Sequence, residues 1–243
     1  MGLRIFMHSL RLVFTQLGDA LRVSGVLYLI VVAVSALLGA TTRHPSPPNI
    51  FLAILGALVT GLAYLWIAIG WHRFVLLDER PPTWVPQLPG DRLPAYLGRS
   101  IQLSFLAGVA GCAIWLPVMI LFAVGFPPLI TIVGGLGALT VLLLVSYRLA
   151  PMLPGAALGS ALGVKEAWAA TSGANGTILL LAVVTAIGSV LLGLPTYFMF
   201  ISAAGPSPLS FVWGSIAGWI NLMVGVSILT TLYGVYVQKR SIT

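Results

Sequence analysis

The 243-residue chain is 59% hydrophobic and only 7% charged, with a mean hydropathy of +1.06. Soluble domains carry about a quarter charged residues, so this chain lacks the charge to solvate a water-facing surface and belongs in a bilayer. Its net charge of +7 would suit nucleic acid only on a solvated basic patch, and the cations instead flank apolar runs. We therefore expect no nucleic-acid partner.

The first 22 residues, "MGLRIFMHSLRLVFTQLGDALR", form no span. They lack the compact apolar core and small-residue cleavage site of a signal peptide. Arg4, His8, Arg11, Thr15, Gly18 and Arg22 recur at steps of three or four. Leu3, Phe6, Met7, Leu10, Val13, Phe14 and Leu17 cover the rest of the helix. A basic amphipathic helix of this kind lies in the membrane interface, arginines toward headgroups. It serves as an anchor or, alternatively, as a membrane sensor.

A spanning helix needs about 20 apolar residues to cross roughly 30 Å of hydrocarbon. Residues 23–40, 50–70, 100–124, 129–147, 177–200 and 209–237 qualify, which predicts an all-α integral membrane protein of six transmembrane helices arranged as three hairpins. Residues 23–243 form a single membrane domain. Arg4, Arg11 and Arg22 precede the first span; Arg73, Arg80, Arg92 and Arg99 lie between the second and third; Arg148 and Lys165 lie between the fourth and fifth; Lys239 and Arg240 follow the sixth. Of the 12 basic residues, Arg43 alone falls on the other side, and all five acids join the majority. The positive-inside rule then puts both termini in the cytoplasm of a bacterial inner membrane, with the cations against anionic lipid. Cys112, inside the third span, has no second thiol for a disulfide or a zinc site. It is expected as a small buried residue.

The outer connections, "TTRHPSPPN", "GFPP" and "SAAGPSP", are short turns rich in proline and small residues. The inner ones are longer and hold the charge and much of the aromatic content. Spans one, three and five begin near residues 23, 100 and 177, a period of about 77. Asp19-Ala20 precedes Ser24 as Glu166-Ala167 precedes Thr171. "GWHRF" and "VSYRL" each set an aromatic ring before an arginine. These features predict repeats at 1–75, 76–150 and 151–243, each an interfacial helix plus a hairpin. All three share one orientation, unlike inverted-repeat transporters.

The stretch "YRLAPMLPGAALGSALGVKEAWAATSG" follows the fourth span. Arg148 ends that span at the inner headgroups, and Pro151 and Pro154 stop regular helix. Gly155, Gly159 and Gly163 lie on one helical face. Lys165, Glu166 and Trp168 mark a return to the interface. The stretch is expected as a membrane-hugging cytoplasmic connector, a short helix packed against the inner ends of the spans or, alternatively, a re-entrant or docking element. Arg73 and Arg148 should sit at headgroup level and pair with lipid phosphate or a cytoplasmic acid, because an arginine at the bilayer centre costs about 2.5–3.5 kcal/mol.

"YRLAPMLPGAALG…VKEAWAATSG" and "WHRFVLLDERP…YLGRS" resemble a group of uncharacterised multi-pass inner-membrane proteins of alphaproteobacteria. More distantly, the arrangement is similar to the membrane domain fused to some glycerophosphodiester phosphodiesterases. The resemblance implies a multi-pass membrane fold and no established activity. The group often has a basic, aromatic stretch after "EAW", where this chain reads "ATSGANGTI".

The span interiors hold no Asp, Glu, Lys, Arg or His, residues that proton relays and many ion-coupled carriers place at mid-depth. His8, His44 and His72 belong to different segments, and none sits where it would ligate a haem in the bilayer. No nucleotide, metalloprotease or hydrolase motif occurs. The expected function is therefore a non-catalytic accessory, assembly or envelope-organising component without a cofactor. It would contact anionic lipid or another membrane protein through Trp71, His72, Arg73, Tyr147, Arg148, Pro151, Pro154, Lys165, Glu166 and Trp168. A small-solute or lipid carrier, using spans broken at Pro117 and Pro195 together with Asn221 and Ser227, is the alternative. A lipid-modifying enzyme, third, needs His72, Asp78, Glu79, Asp91 and Glu166 to converge. A polar cavity at mid-depth would favour the carrier, and a packed bundle with an apolar outer face the accessory component.

Overall fold

The computed structural model describes residues 1–41, 49–88, 90–160, 162–202, 205 and 207–242; Arg43 and His44 lie outside them. The protein is an all-α multi-pass membrane protein. Its helices are α1 (Gly2–Thr15), α2 (Leu17–Thr41), α3 (Ile50–Leu77), α4 (Leu93–Ala123), α5 (Pro128–Leu149), α6 (Met152–Leu158), α7 (Val164–Ala170), α8 (Asn175–Ser202) and α9 (Pro208–Tyr236). Six are long and apolar enough to cross a membrane. α2 packs on α3, α4 on α5 and α8 on α9, so the chain forms three hairpins. α5 packs on α8 and α3 on α9, which joins the hairpins into one bundle.

Local chemistry fixes the helix ends. Asn49 caps α3 through its Oδ1, which accepts from the Leu52 amide, and Ser207 forms a reciprocal capping box with Ser210 at α9. Asp78 ends α3 in the left-handed region with φ 55°. Pro117 and Pro195 lie inside α4 and α8, yet both helices run through them. These spans are not broken, contrary to the carrier expectation, because a proline can be absorbed in a membrane helix where neighbours re-satisfy the freed backbone.

Helix alternation gathers α1, α6, α7 and the described basic residues at one end of the bundle, termed here the basic end. The predicted 22-residue amphipathic helix is two pieces: α1 stops at Gln16, and residues from Leu17 onward belong to the first span. α1 packs on α8 and α9 through a buried face of Ile5, Ser9 and Val13. Arg4 and Arg11 remain exposed.

Two further expectations change. Cys112 is exposed in an apolar cleft between α4 and α5, because its neighbours Gly108, Gly111 and Gly135 carry no side chain to cover it. The three glycines do not share a helical face either. α6 closes at Gly159, whose φ of 84° needs a residue without a Cβ, and Gly163 instead caps α7.

Candidate functional site

The polar chemistry of the basic end is organised by the last helix. Ser227, Thr230 and Thr231 share one face of α9 through steps of three and four, and all three are buried. The Trp71 indole N–H donates to Ser227 Oγ at 2.8 Å. His72 Nδ1 lies 2.8 Å from Thr230 Oγ1, and His72 Nε2 lies 3.0 Å from the Tyr96 hydroxyl. Thr230 spends its single proton on the Val226 carbonyl, so its oxygen accepts from His72 Nδ1–H. His72 is then the Nδ1–H tautomer, and Nε2 accepts from the Tyr96 O–H. Ser9 of α1 lies 3.2 Å from Thr231, a packing contact, since each hydroxyl gives its proton to its own helix at the carbonyls of Ile5 and Ser227. One face of α9 thereby fastens α3 and, through His72, α4, and packs against α1.

A second set of bonds closes the loops. Arg73 forms a bidentate pair with Glu79, Nε to Oε2 at 2.7 Å and Nη2 to Oε1 at 2.9 Å, and Nη1 donates to the Ala157 carbonyl at 3.3 Å. Bidentate guanidinium–carboxylate geometry is the strong form of this contact. Arg148 makes a different contact from the expected acid or phosphate. It is 8% exposed, donates Nη1 to the Thr171 carbonyl, and stacks its guanidinium 5.1 Å from the Trp168 ring centroid. The Thr171 hydroxyl lies 3.1 Å from both the Arg148 and the Ala167 carbonyls and shares its one proton between them. Arg240 donates to the Leu76 carbonyl at 3.1 Å, which holds the C-terminal segment on α3.

The expected headgroup-contacting face is therefore divided. Trp71, His72, Tyr147, Arg148, Pro151 and Pro154 are buried and face other helices, whereas Lys165, Glu166 and Trp168 are exposed on α7 and Arg73 is half-buried. The physical reason is α6. It packs among α3, α4 and α9, and its Met152–Ala157 run is fully buried. Glycine and alanine there let backbones approach closely.

Sequence reading missed Thr230, Thr231, Tyr96 and Ser9. The S-x-x-T-T spacing of α9 was the available signal. Ser24 and Thr171 hold equivalent positions in the predicted repeats, and both hydroxyls reach back to the preceding turn, at the carbonyls of Ala20 and Ala167. Ser24 also accepts from the Trp219 indole at 2.8 Å.

Two of the cavities among the described residues bear on the candidate roles. One of about 250 Å3 opens at the basic end beside Arg73, Glu79, Arg80 and Asp91. It brings together two of the five residues a lipid-modifying enzyme would need, and His72, Asp78 and Glu166 are not in its lining. The other, about 630 Å3, lies among α1, α4, α5, α8 and α9. Its walls are mostly apolar, and they include the Ser189–Asn221 pair, hydrogen-bonded at 2.9 Å. No protein-family model, curated protein or solved structure matches the chain.

Proposed function

We propose that this chain is a non-catalytic, multi-pass accessory or envelope-organising component of a bacterial inner membrane, gripping anionic lipid or a membrane partner at a cytoplasmic basic end. The observation that carries this reading is a division of labour among polar groups. The ionisable and aromatic side chains inside the basic end are consumed by one another, and a rim of exposed cations surrounds them. His72 has both ring nitrogens engaged and Arg73 is chelated by Glu79. Arg4, Arg11, Arg22, Arg80, Lys165, Lys239 and Arg240 are exposed. Each basic residue near an anionic surface contributes about 1 kcal/mol of attraction. α1 supplies two of these cations and, as an interfacial helix, lays its exposed Leu3 and Met7 toward the bilayer.

Purification in a mild detergent, followed by mass spectrometry of retained lipids and proteins, tests the proposal. The parent should retain phosphatidylglycerol or cardiolipin over phosphatidylethanolamine, or a stoichiometric membrane partner. The triple variant Arg4→Ala/Arg11→Ala/Lys165→Ala should lose most of either while remaining folded. Equal retention by both proteins sinks the reading.

Sidedness has its own test. A reporter fused after Thr243 should be active only in a cytoplasm-dependent form, and activity of a periplasm-dependent reporter at that point would reverse the orientation.

The carrier reading keeps one supporting observation, the mid-depth cavity. A lipid binder and an accessory component are compatible roles for one bundle.

A further inference from the structure

We infer that the cavity among α1, α4, α5, α8 and α9 is an intramembrane binding site for one uncharged lipid, a hydrocarbon body carrying a hydroxyl or carbonyl oxygen. The site is separate from the cationic rim and does not depend on it.

Its volume of about 630 Å3 falls within the roughly 300–1,000 Å3 of small-molecule sites. The polar groups in its lining form a ladder. Ser146 and Tyr147 stand near the basic end of α5. Thr185 and Ser189, four residues apart, share one face of α8, and Asn221 faces Ser189 from α9. Ser189 and Asn221 lie at the middle of their helices, Asn175–Ser202 and Pro208–Tyr236, so the upper rung is at mid-depth in the bilayer.

Hydrogen-bonding capacity is left over on this ladder. Ser189 Oγ donates to Asn221 Oδ1 at 2.9 Å, and the Asn221 amide N–H groups make no hydrogen bond among the described residues. Thr185 is 9% exposed. Its Oγ1 faces the Tyr147 hydroxyl yet completes no hydrogen bond of good geometry. Unspent donors are costly in a medium without water, and a primary amide at mid-depth that packing does not satisfy marks a site.

The lining also restricts the ligand. It contains no Asp, Glu, Lys, Arg or His, so an ionised headgroup would be buried without a counter-charge, which is strongly unfavourable. The apolar walls require hydrocarbon, and the amide and hydroxyl donors require an uncharged oxygen acceptor. Linear alcohols and monoglycerides share that chemistry with isoprenoid alcohols and quinones.

The test uses the full chain in lipid nanodiscs, photolabelled with a diazirine-bearing hexadecanol and, separately, with the corresponding hexadecanoate. The alcohol should label α8 and α9 around Ser189 and Asn221, and the carboxylate at least about tenfold less, the consequence of an uncompensated charge. Asn221→Leu should reduce labelling about fivefold, the scale of one or two membrane hydrogen bonds. Gly225→Leu fills the cavity from a position where an added Cβ meets nothing within 4 Å, and it should abolish labelling with the elution profile unchanged. Stronger competition by unlabelled hexadecanol assigns a linear lipid, and stronger competition by an isoprenoid quinone assigns the ring-bearing class. Competition by neither, equal labelling by the two probes, parent-level labelling of both variants, or labels scattered over lipid-facing residues such as Phe105 and Leu129 would overturn the site.

Discussion

Replacing Trp71 with alanine is expected to destabilise the protein by about 3–5 kcal/mol, the range for emptying a large aromatic site in a packed core. Trp71 has no exposed surface. Its ring packs against Phe74 with centroids 5.3 Å apart, and its N–H is fixed on Ser227. Trp71→Phe keeps most of the packing and removes the N–H donor. It should cost less, about 1–2 kcal/mol, because hydrogen bonds at membrane depth average about 0.6 kcal/mol and reach about 1.7. Reversible unfolding in mixed micelles measures both. If the two variants match the parent within about 0.5 kcal/mol, the range of neutral surface changes, Trp71 is no part of a packed core.

A second large effect is expected at Gly155. A Cβ there would lie 2.8 Å from Ser160 Oγ, 3.3 Å from the Leu162 Cβ and 3.6 Å from Tyr233 Cε2. Serine can rotate away, but Leu162 and the Tyr233 ring bound the remaining space. Gly155→Leu should therefore lift α6 from α9. Overpacking typically costs about 1–3 kcal/mol, and a seven-residue helix held only by its neighbours sits at the upper end. The melting temperature should fall, and trypsin should cut faster at Lys165, the exposed lysine beyond α6. Gly155→Ala should show a weaker form of both changes. Wild-type melting and cleavage in Gly155→Leu would mean that α6 is not wedged into the bundle.

The six spans and their hairpin order were legible because continuous apolar runs of sufficient length have one stable answer in a bilayer. The gathering of charge at one end was legible for the same reason. For α6, a short helix against the inner ends of the spans was legible, and the depth of its burial was not. "APMLPGAALG" has the composition of a surface connector and of a close-packed insert alike, and what separates them is the gap among α3, α4 and α9, a tertiary fact. Trp71 and His72 misled through adjacency to Arg73. An interfacial arginine suggests interfacial neighbours, but successive helical residues point about 100° apart, so Arg73 reaches Glu79 while Trp71 and His72 turn inward. Thr230 and Thr231 were hidden because hydroxyls in apolar helices usually satisfy themselves on the preceding turn. These two do so, and Thr230 still offers a lone pair to His72 of α3. Asn221 is legible as a polar residue in an apolar run, and its pairing with Ser189 follows only from the packing of α8 on α9.

The face of α9 that receives Trp71, His72 and Ser9 also sets a timetable. A chain emerges from its N-terminus, so α1, α3 and α4 enter the membrane well before Ser227, Thr230 and Thr231 are synthesised. Until then the indole N–H of Trp71 and the Nδ1–H of His72 have no partner on α9. The early hairpins, α2 on α3 and α4 on α5, then lack the polar fastening that α9 supplies. The sixth span acts as a latch that turns several inserted helices into one protein. A chain interrupted within α9 leaves donors facing lipid, the kind of lesion by which membrane quality control can recognise an unfinished product.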